Sequence, residues 1–203
     1  MKLVKGQNTG LDAHELTVTC AWRRTADLDA DLSALLLVDG KVCGDDDFVF
    51  YNQALSPDEA VRHDGKQESA GRVIDRISCN LHRVDPRIDT VALAVSLDSP
   101  NGRLLRELGD IDVAVHDTDD TVLAMFSVTS LTSETAVVTL ELYRRDDRWK
   151  VRAIGQGYSD GLAGLARDFG VAVEAGAPEP VPVPAGPPPI DWTNPPVPAG
   201  YEL

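Results

Sequence analysis

"AIGQGYSDGLAG", residues 153–164, places glycines at 155, 157 and 161 between an apolar run and a stretch of helical spacing. Two folds compete for it. A dinucleotide-binding α/β domain needs G-x-G-x-x-G at its first strand-to-helix turn, an acidic residue about 20 positions later, and further parallel strands to complete the sheet. Here the spacing is G-x-G-x-x-x-G, only an acidic, proline-rich tail follows, and the preceding elements read as antiparallel. The nucleotide reading fails. The glycines are read instead as a turn that uses positive φ or lets a helix approach the sheet closely.

Working back from that turn, apolar residues alternate at Leu16, Val18, Cys20 and Trp22, at Ile77, Cys79 and Leu81, and at Val91, Leu93, Val95 and Leu97. A period of two marks half-buried strands. Further runs lie at 32–38, 47–52, 111–116, 121–128, 135–143 and 148–154. Nine short strands separated by Asp, Gly, Pro and Ser predict a mainly all-β protein, an antiparallel β-sandwich with a few short helices and a C-terminal helix.

Helical signal is sparse. "SPDEAVRH" (56–63) has a Ser cap, a first-turn Pro and two early acids, which predicts a short helical turn, and "RLLREL" (103–108) predicts another. Leu162, Leu165, Ala166 and Phe169 share helical spacing, and Gly170 supplies the stop. The sandwich domain is therefore set at 1–173, followed by a Pro-rich acidic tail over 174–203. From Gly176 onward the chain has ten of its 13 prolines and no Lys or Arg. Such a segment lacks ladder donors and is expected to be extended or disordered. Trp192 within it reads either as part of a linker or as the anchor of a docking peptide.

Composition narrows the function. With 203 residues, 43% hydrophobic and 26% charged, the chain matches one globular core. No apolar stretch approaches bilayer length, so no transmembrane segment is expected and the chain is read as cytoplasmic. A net charge of −14 repels phosphate backbones, which argues against nucleic acid as a partner. Residues 27–68 hold eleven acids against Lys41, Arg62 and Lys66. Such a run either receives cations or keeps the surface solvated. Cys20, Cys43 and Cys79 lack CxxC spacing, and the four histidines lack an HExxH pair, so neither a disulfide framework nor a zinc site is indicated. The cysteines read as small core residues and one free thiol.

The segment "ETAVVTLELYRRDDRWKVRAIGQGYSDGLAGLARDFGV" (134–171) resembles the closing segment of the TerD family, which ends in a Glu-Leu-Tyr-Arg strand, a Trp-Lys strand, Gly-Gln-Gly-Tyr and a Leu-rich helix. "VKGQN" (4–8), "DADLSALLL" (29–37), "DDDFVFYNQ" (45–53) and "SPDEAVRHDG" (56–65) extend the resemblance in the family's order to about residue 173. The resemblance implies a β-sandwich that in better-known members binds calcium and takes part in tellurite and general stress resistance without assigned catalysis. It places Asp29, Asp31 and Asn52 as metal-site residues, with Ser33 on the same D-x-D-x-S motif and His63 and Gly65 at the start of the next loop.

There the pattern breaks. The family continues with acidic Gly-Asp-Asn and Gly-Asp-Asp-Glu clusters, whereas this chain reads "GKQESAGRVID" (65–75). Calcium takes six to eight oxygens, with affinity set by ligand charge and rigidity. Lys66, Gln67 and Arg72 remove that charge, so calcium is expected to bind weakly or not at all. Asp29 and Asp31 share one face of a strand and need a counter-ion, and Lys66 or Arg72 is expected to pair with one of them in place of the ion. Asp45, Asp46 and Asp47 read first as a turn with solvated side chains.

These residues support a non-enzymatic stress-response module acting through protein partners, with homo-oligomers as a further form of assembly through sheet edges. The alternative is a metal-assisted hydrolase using Asp29, Asp31 and His63, which requires those three to converge on a concave pocket.

Overall fold

A computed structural model describes residues 1–98 and 101–170, which fall within a first compact unit of Met1–Val173. The expected structure of the 174–203 tail, Trp192 included, lies outside the described residues.

Two antiparallel sheets face each other. The first carries β1 (Asn8–Gly10), β3 (Ala30–Val38), β4 (Lys41–Val42), β5 (Phe48–Val49), β8 (Thr90–Leu97), β11 (Ala136–Arg145) and β12 (Arg148–Tyr158). Its strands run β1-β12-β11-β8-β3-β4, with β5 also pairing β3. The second carries β2 (Glu15–Arg23), β6 (Val61–Ser69), β7 (Arg72–Asn80), β9 (Ile111–His116) and β10 (Val122–Val128), in the order β10-β9-β2-β7-β6. Among the described residues one α-helix, α1 (Gly161–Phe169), follows β12.

Alternation builds the core. Leu16, Val18, Cys20 and Trp22 from β2 and Val73, Ile77 and Cys79 from β7 point inward against Leu32, Leu36, Leu93, Val95 and Leu142 of the opposite sheet. Strands β3, β8 and β11 are apolar on both faces because α1 covers their outer side. Leu35, Leu37, Ala92, Ala94, Ala136 and Val138 meet Tyr158 and Leu165 there, with Phe169 packed alongside. Continuous apolar runs such as "ALLLV" thus belong to strands buried twice. Gly170 ends α1 at φ 74°, donating its amide to the Ala166 carbonyl, as its position after the apolar spacing predicts.

The structure corrects the reading of 153–164. Gly155 and Gly157 lie inside β12 rather than in a turn. Gly155, at φ 64°, sits at a register shift where Val138 pairs Gln156 but Leu140 pairs Ala153. A bulge of this kind accepts glycine at left-handed φ without strain. At Gly157 a side chain would overlap the Glu134 Cγ, so the residue is glycine because another side chain lies across it.

Two other expectations change. Residues 56–60 form a turn, not a helix: the Ser56 hydroxyl donates to Asp58 Oδ1 at 2.6 Å and accepts the Val61 amide at 2.9 Å, and Val61 already begins a strand. Side-chain bonds to nearby amides give Ser and Asp a stable alternative to helix. Among the described residues twelve strands replace the nine, since β1, β4 and β6 are too short or too polar to show alternation. Only Leu105–Leu108 of the 103–108 segment is helical, as a 3-10 turn.

Candidate functional site

At one end of the sandwich the two sheets are joined by polar groups. Asp75 stands on the inner face of β7 and is fully buried. Its Oδ2 accepts the Leu32 amide of β3 at 2.9 Å and its Oδ1 accepts the Arg76 amide at 2.9 Å. His63, on β6, is also buried, and its Nε2 lies 3.0 Å from Asp75 Oδ1. That approach is close enough for an ion pair with a protonated ring but off line for a hydrogen bond, so the nitrogen has no hydrogen-bond partner among the described residues.

A bulge delivers the next group. Simple alternation from Val61 and His63, both inward, would send Lys66 to solvent. The register of β6 against β7 shifts between His63 and Gly65, with Gly65 at φ 90°, so Gly65 opposes Arg76 and Lys66 opposes Asp75. Lys66 therefore faces inward. Its Nζ lies 2.7 Å from Asp29 Oδ1 and 2.7 Å from Asp31 Oδ1 at the start of β3.

Electrostatics follow from burial. Asp31 is largely covered, and that burial raises its carboxyl above the usual range despite the Lys66 hydrogen bond and charge; Asp29 and Asp75 push the same way. Burial pulls the Lys66 ammonium downward, but the hydrogen bonds it donates to Asp29 and Asp31 outweigh that effect and hold the group above the ordinary lysine value. The ammonium is thus the counter-ion of the pair.

Asp29, Asp31, His63 and Lys66, together with Tyr51 and Ala54, line one cavity of about 490 Å³. The three residues of the hydrolase alternative do converge on a concavity. Asn52 is exposed in the turn after β5 and is not among the residues lining that cavity, although its neighbour Tyr51 is. Of the two cations expected near the carboxylates, Lys66 arrives and Arg72 does not. Arg72 points to the outer face, 2.7 Å from Asp112 Oδ2. Sequence alternation missed Asp75 altogether, because an acid at an inward position of "VIDRISC" looks like a break in the strand.

Asp45, Asp46 and Asp47 form a 3-10 turn whose carbonyl at Asp45 accepts the Gln53 side chain at 2.8 Å. Cys20 and Cys79 are buried and Cys43 is exposed. His14 and His82 lie with tilted rings, centroids 3.7 Å apart, and neither lines the cavity.

Calcium can be tested against these residues. Among the described residues no three His, Cys, Asp or Glu side chains are grouped to hold a metal, and the position between Asp29 and Asp31 is filled by an ammonium. A cation of that charge and size repels a divalent ion at the same seat. As seated, the ammonium occupies the place a calcium ion would need between Asp29 and Asp31, while Asp64 and Asp98 also line the cavity.

The class defined so far is a two-sheet antiparallel sandwich with a carboxylate-lysine cluster joining the sheets and a helix laid on one outer face. The chain belongs to the TerD domain family, which matches residues 1–169. It is 35% identical over 153 residues to the tellurium resistance protein TerD of Serratia marcescens, covering 71% of this chain and 79% of that protein. It is 32% identical over 155 residues to general stress protein 16U of Bacillus subtilis, covering 72% and 80%. In fold it is similar to a solved homologue of the telluride resistance protein TerD from Streptomyces coelicolor A3(2), with a TM-score of 0.63 at 18% identity over 76% of this chain and 95% of that one. Among the described residues no helix is long and apolar enough to cross a membrane.

Proposed function

We propose that this protein is a non-enzymatic, cytoplasmic TerD-type module of tellurium resistance or stress response that acts by contacting protein partners, and that its calcium site is degenerate. The observation that carries the reading is the Lys66 ammonium seated between Asp29 and Asp31, 2.7 Å from each. A carboxylate pair already neutralised by its own chain has little left to attract a divalent ion. Partner contact without calcium follows from a surface whose geometry no longer depends on the ion.

Isothermal titration of the full chain with calcium is expected to show no saturable binding at micromolar concentration. Affinity capture of the tagged full chain from stressed cells is expected to recover the same proteins with calcium and with chelator. Micromolar calcium binding, or partners that appear only with calcium, would overturn the reading.

The metal-assisted hydrolase keeps one supporting observation, the convergence of Asp29, Asp31 and His63 on one cavity. It requires an ion with an open position for water or substrate. Hydrolysis of phosphate or acyl esters by the purified chain, abolished by Asp31→Asn, would establish it in place of the first reading.

A further inference from the structure

The disagreement between the calcium-binding pattern of the family and this cavity has a structural consequence of its own. Lys66 belongs to the five-stranded sheet, whereas Asp31 lies in β3 of the seven-stranded sheet and Asp29 immediately precedes that strand. The contact therefore crosses from one sheet to the other. Beside it Asp75 makes a second crossing to the Leu32 amide, and His63, whose buried Nε2 has no hydrogen-bond partner among the described residues, lines the same cavity. The Gly65 bulge is what turns Lys66 into this position rather than to solvent.

We infer that Lys66 is a tethered cation that joins the two sheets, and that this single side chain decides whether the seat between Asp29 and Asp31 holds an ammonium or a divalent metal ion. The inference rests on the degenerate-site reading and goes beyond it by making this one side chain the switch between the two occupants of the seat. An ammonium delivered by the backbone is present at an effective concentration that a free ion cannot match. A divalent ion reaching the seat would have to displace it. Neutralising Lys66 removes the counter-ion of both Asp29 and Asp31, and replacing it with Glu adds a carboxylate to a cavity that Asp64 and Asp98 also line. Divalent affinity rises with carboxylate count. Arginine keeps the positive charge and is expected to keep the seat closed.

The test is a titration series with calcium alone and magnesium alone on full chains carrying Lys66, Lys66→Arg, Lys66→Gln and Lys66→Glu, read by calorimetry and by thermal denaturation. Calcium affinity is expected to rise in the order Lys66 equal to Lys66→Arg, then Lys66→Gln, then Lys66→Glu, with at least about a tenfold gain at the last step over the unaltered chain. Calcium is expected to raise the melting temperature of Lys66→Glu and leave that of the unaltered chain in place. If Lys66→Glu does not fold alone, refolding in calcium restores it under this inference; failure to refold in calcium overturns it. A folded Lys66→Glu that binds no tighter than the unaltered chain overturns this inference and leaves the degenerate-site reading standing. Tight calcium binding by the unaltered chain defeats both.

Discussion

Asp75 Oδ2 accepts the backbone amide of Leu32 at 2.9 Å, and the two residues belong to different sheets. A sandwich is held mainly by its apolar faces, which are non-directional and permit the sheets to slide. One buried hydrogen bond between a side chain of β7 and the main chain of β3 fixes the relative position of the sheets at the end where the cavity lies. The amide it satisfies sits next to Asp31, so the same bond positions a carboxylate that Lys66 meets.

Asp75→Ala should unfold the protein at much lower denaturant. It removes the acceptor of two amides and leaves the Leu32 N–H buried without a partner, which costs about 3 kcal/mol. Asp75→Asn keeps one acceptor oxygen and should lose about half as much. Urea denaturation of the two variants checks the order, and equal losses would show that the carboxylate does not anchor Leu32.

Thiol chemistry should separate the three cysteines. Burial holds the Cys20 thiol above its ordinary value and pushes Cys79 up to about 12, while Cys43 is exposed. The thiolate is the reactive form. Reaction with an aromatic disulfide at pH 8 should titrate one thiol in the folded chain and three after denaturation. Two fast equivalents in the folded state would contradict the packing around β2 and β7.

Much of the sandwich was legible because alternating apolar residues report half-buried strands directly, as in "LTVTCAW" of β2. The final helix was legible to the residue, since its spacing and Gly170 agree. What failed was local and polar. Strand β6, "VRHDGKQES", carries a bulge and few apolar residues, and the Ser56 and Asp58 side-chain bonds imitate a helix start in sequence. At the cavity, Asp29, Asp31 and the expectation of a nearby cation could be read from charge and spacing, but the choice of Lys66 over Arg72 could not. A one-residue bulge reverses which face each residue occupies, and only the paired register reveals it.

Gly157→Ala should destabilise the protein through Glu134. The new methyl would displace the Glu134 side chain, whose carboxylate accepts the Thr132 amide and is held below the usual range chiefly by that bond. The expected loss is about 1–2 kcal/mol. Glu134→Ala in the same chain should recover the steric part, so the two losses should fall short of additive in a double-mutant cycle. Additive losses would mean that the methyl clashes with something else.

The pH dependence of Lys66→Met should reveal the counter-ion role by its sign. The native ammonium titrates above its unfolded value, because the opposing effect of burial is exceeded by the bonds it donates to Asp29 and Asp31. Its contribution is therefore complete below the ordinary lysine pKa and disappears as pH rises through the higher native one. Asp31 behaves oppositely to an ordinary paired acid, since burial raises its native pKa. Its ionisation thus costs stability as pH rises through that native value, and without Lys66 the cost grows. Lys66→Met should fall about 1–2 kcal/mol below the unaltered chain by pH 8, with the deficit shrinking in acid as the Asp31 carboxyl takes up its proton and in alkali as pH rises through the raised native Lys66 value. Thermal denaturation from acid to alkali checks the curve, and a deficit that stays constant at every pH would show that Lys66 contributes packing rather than charge.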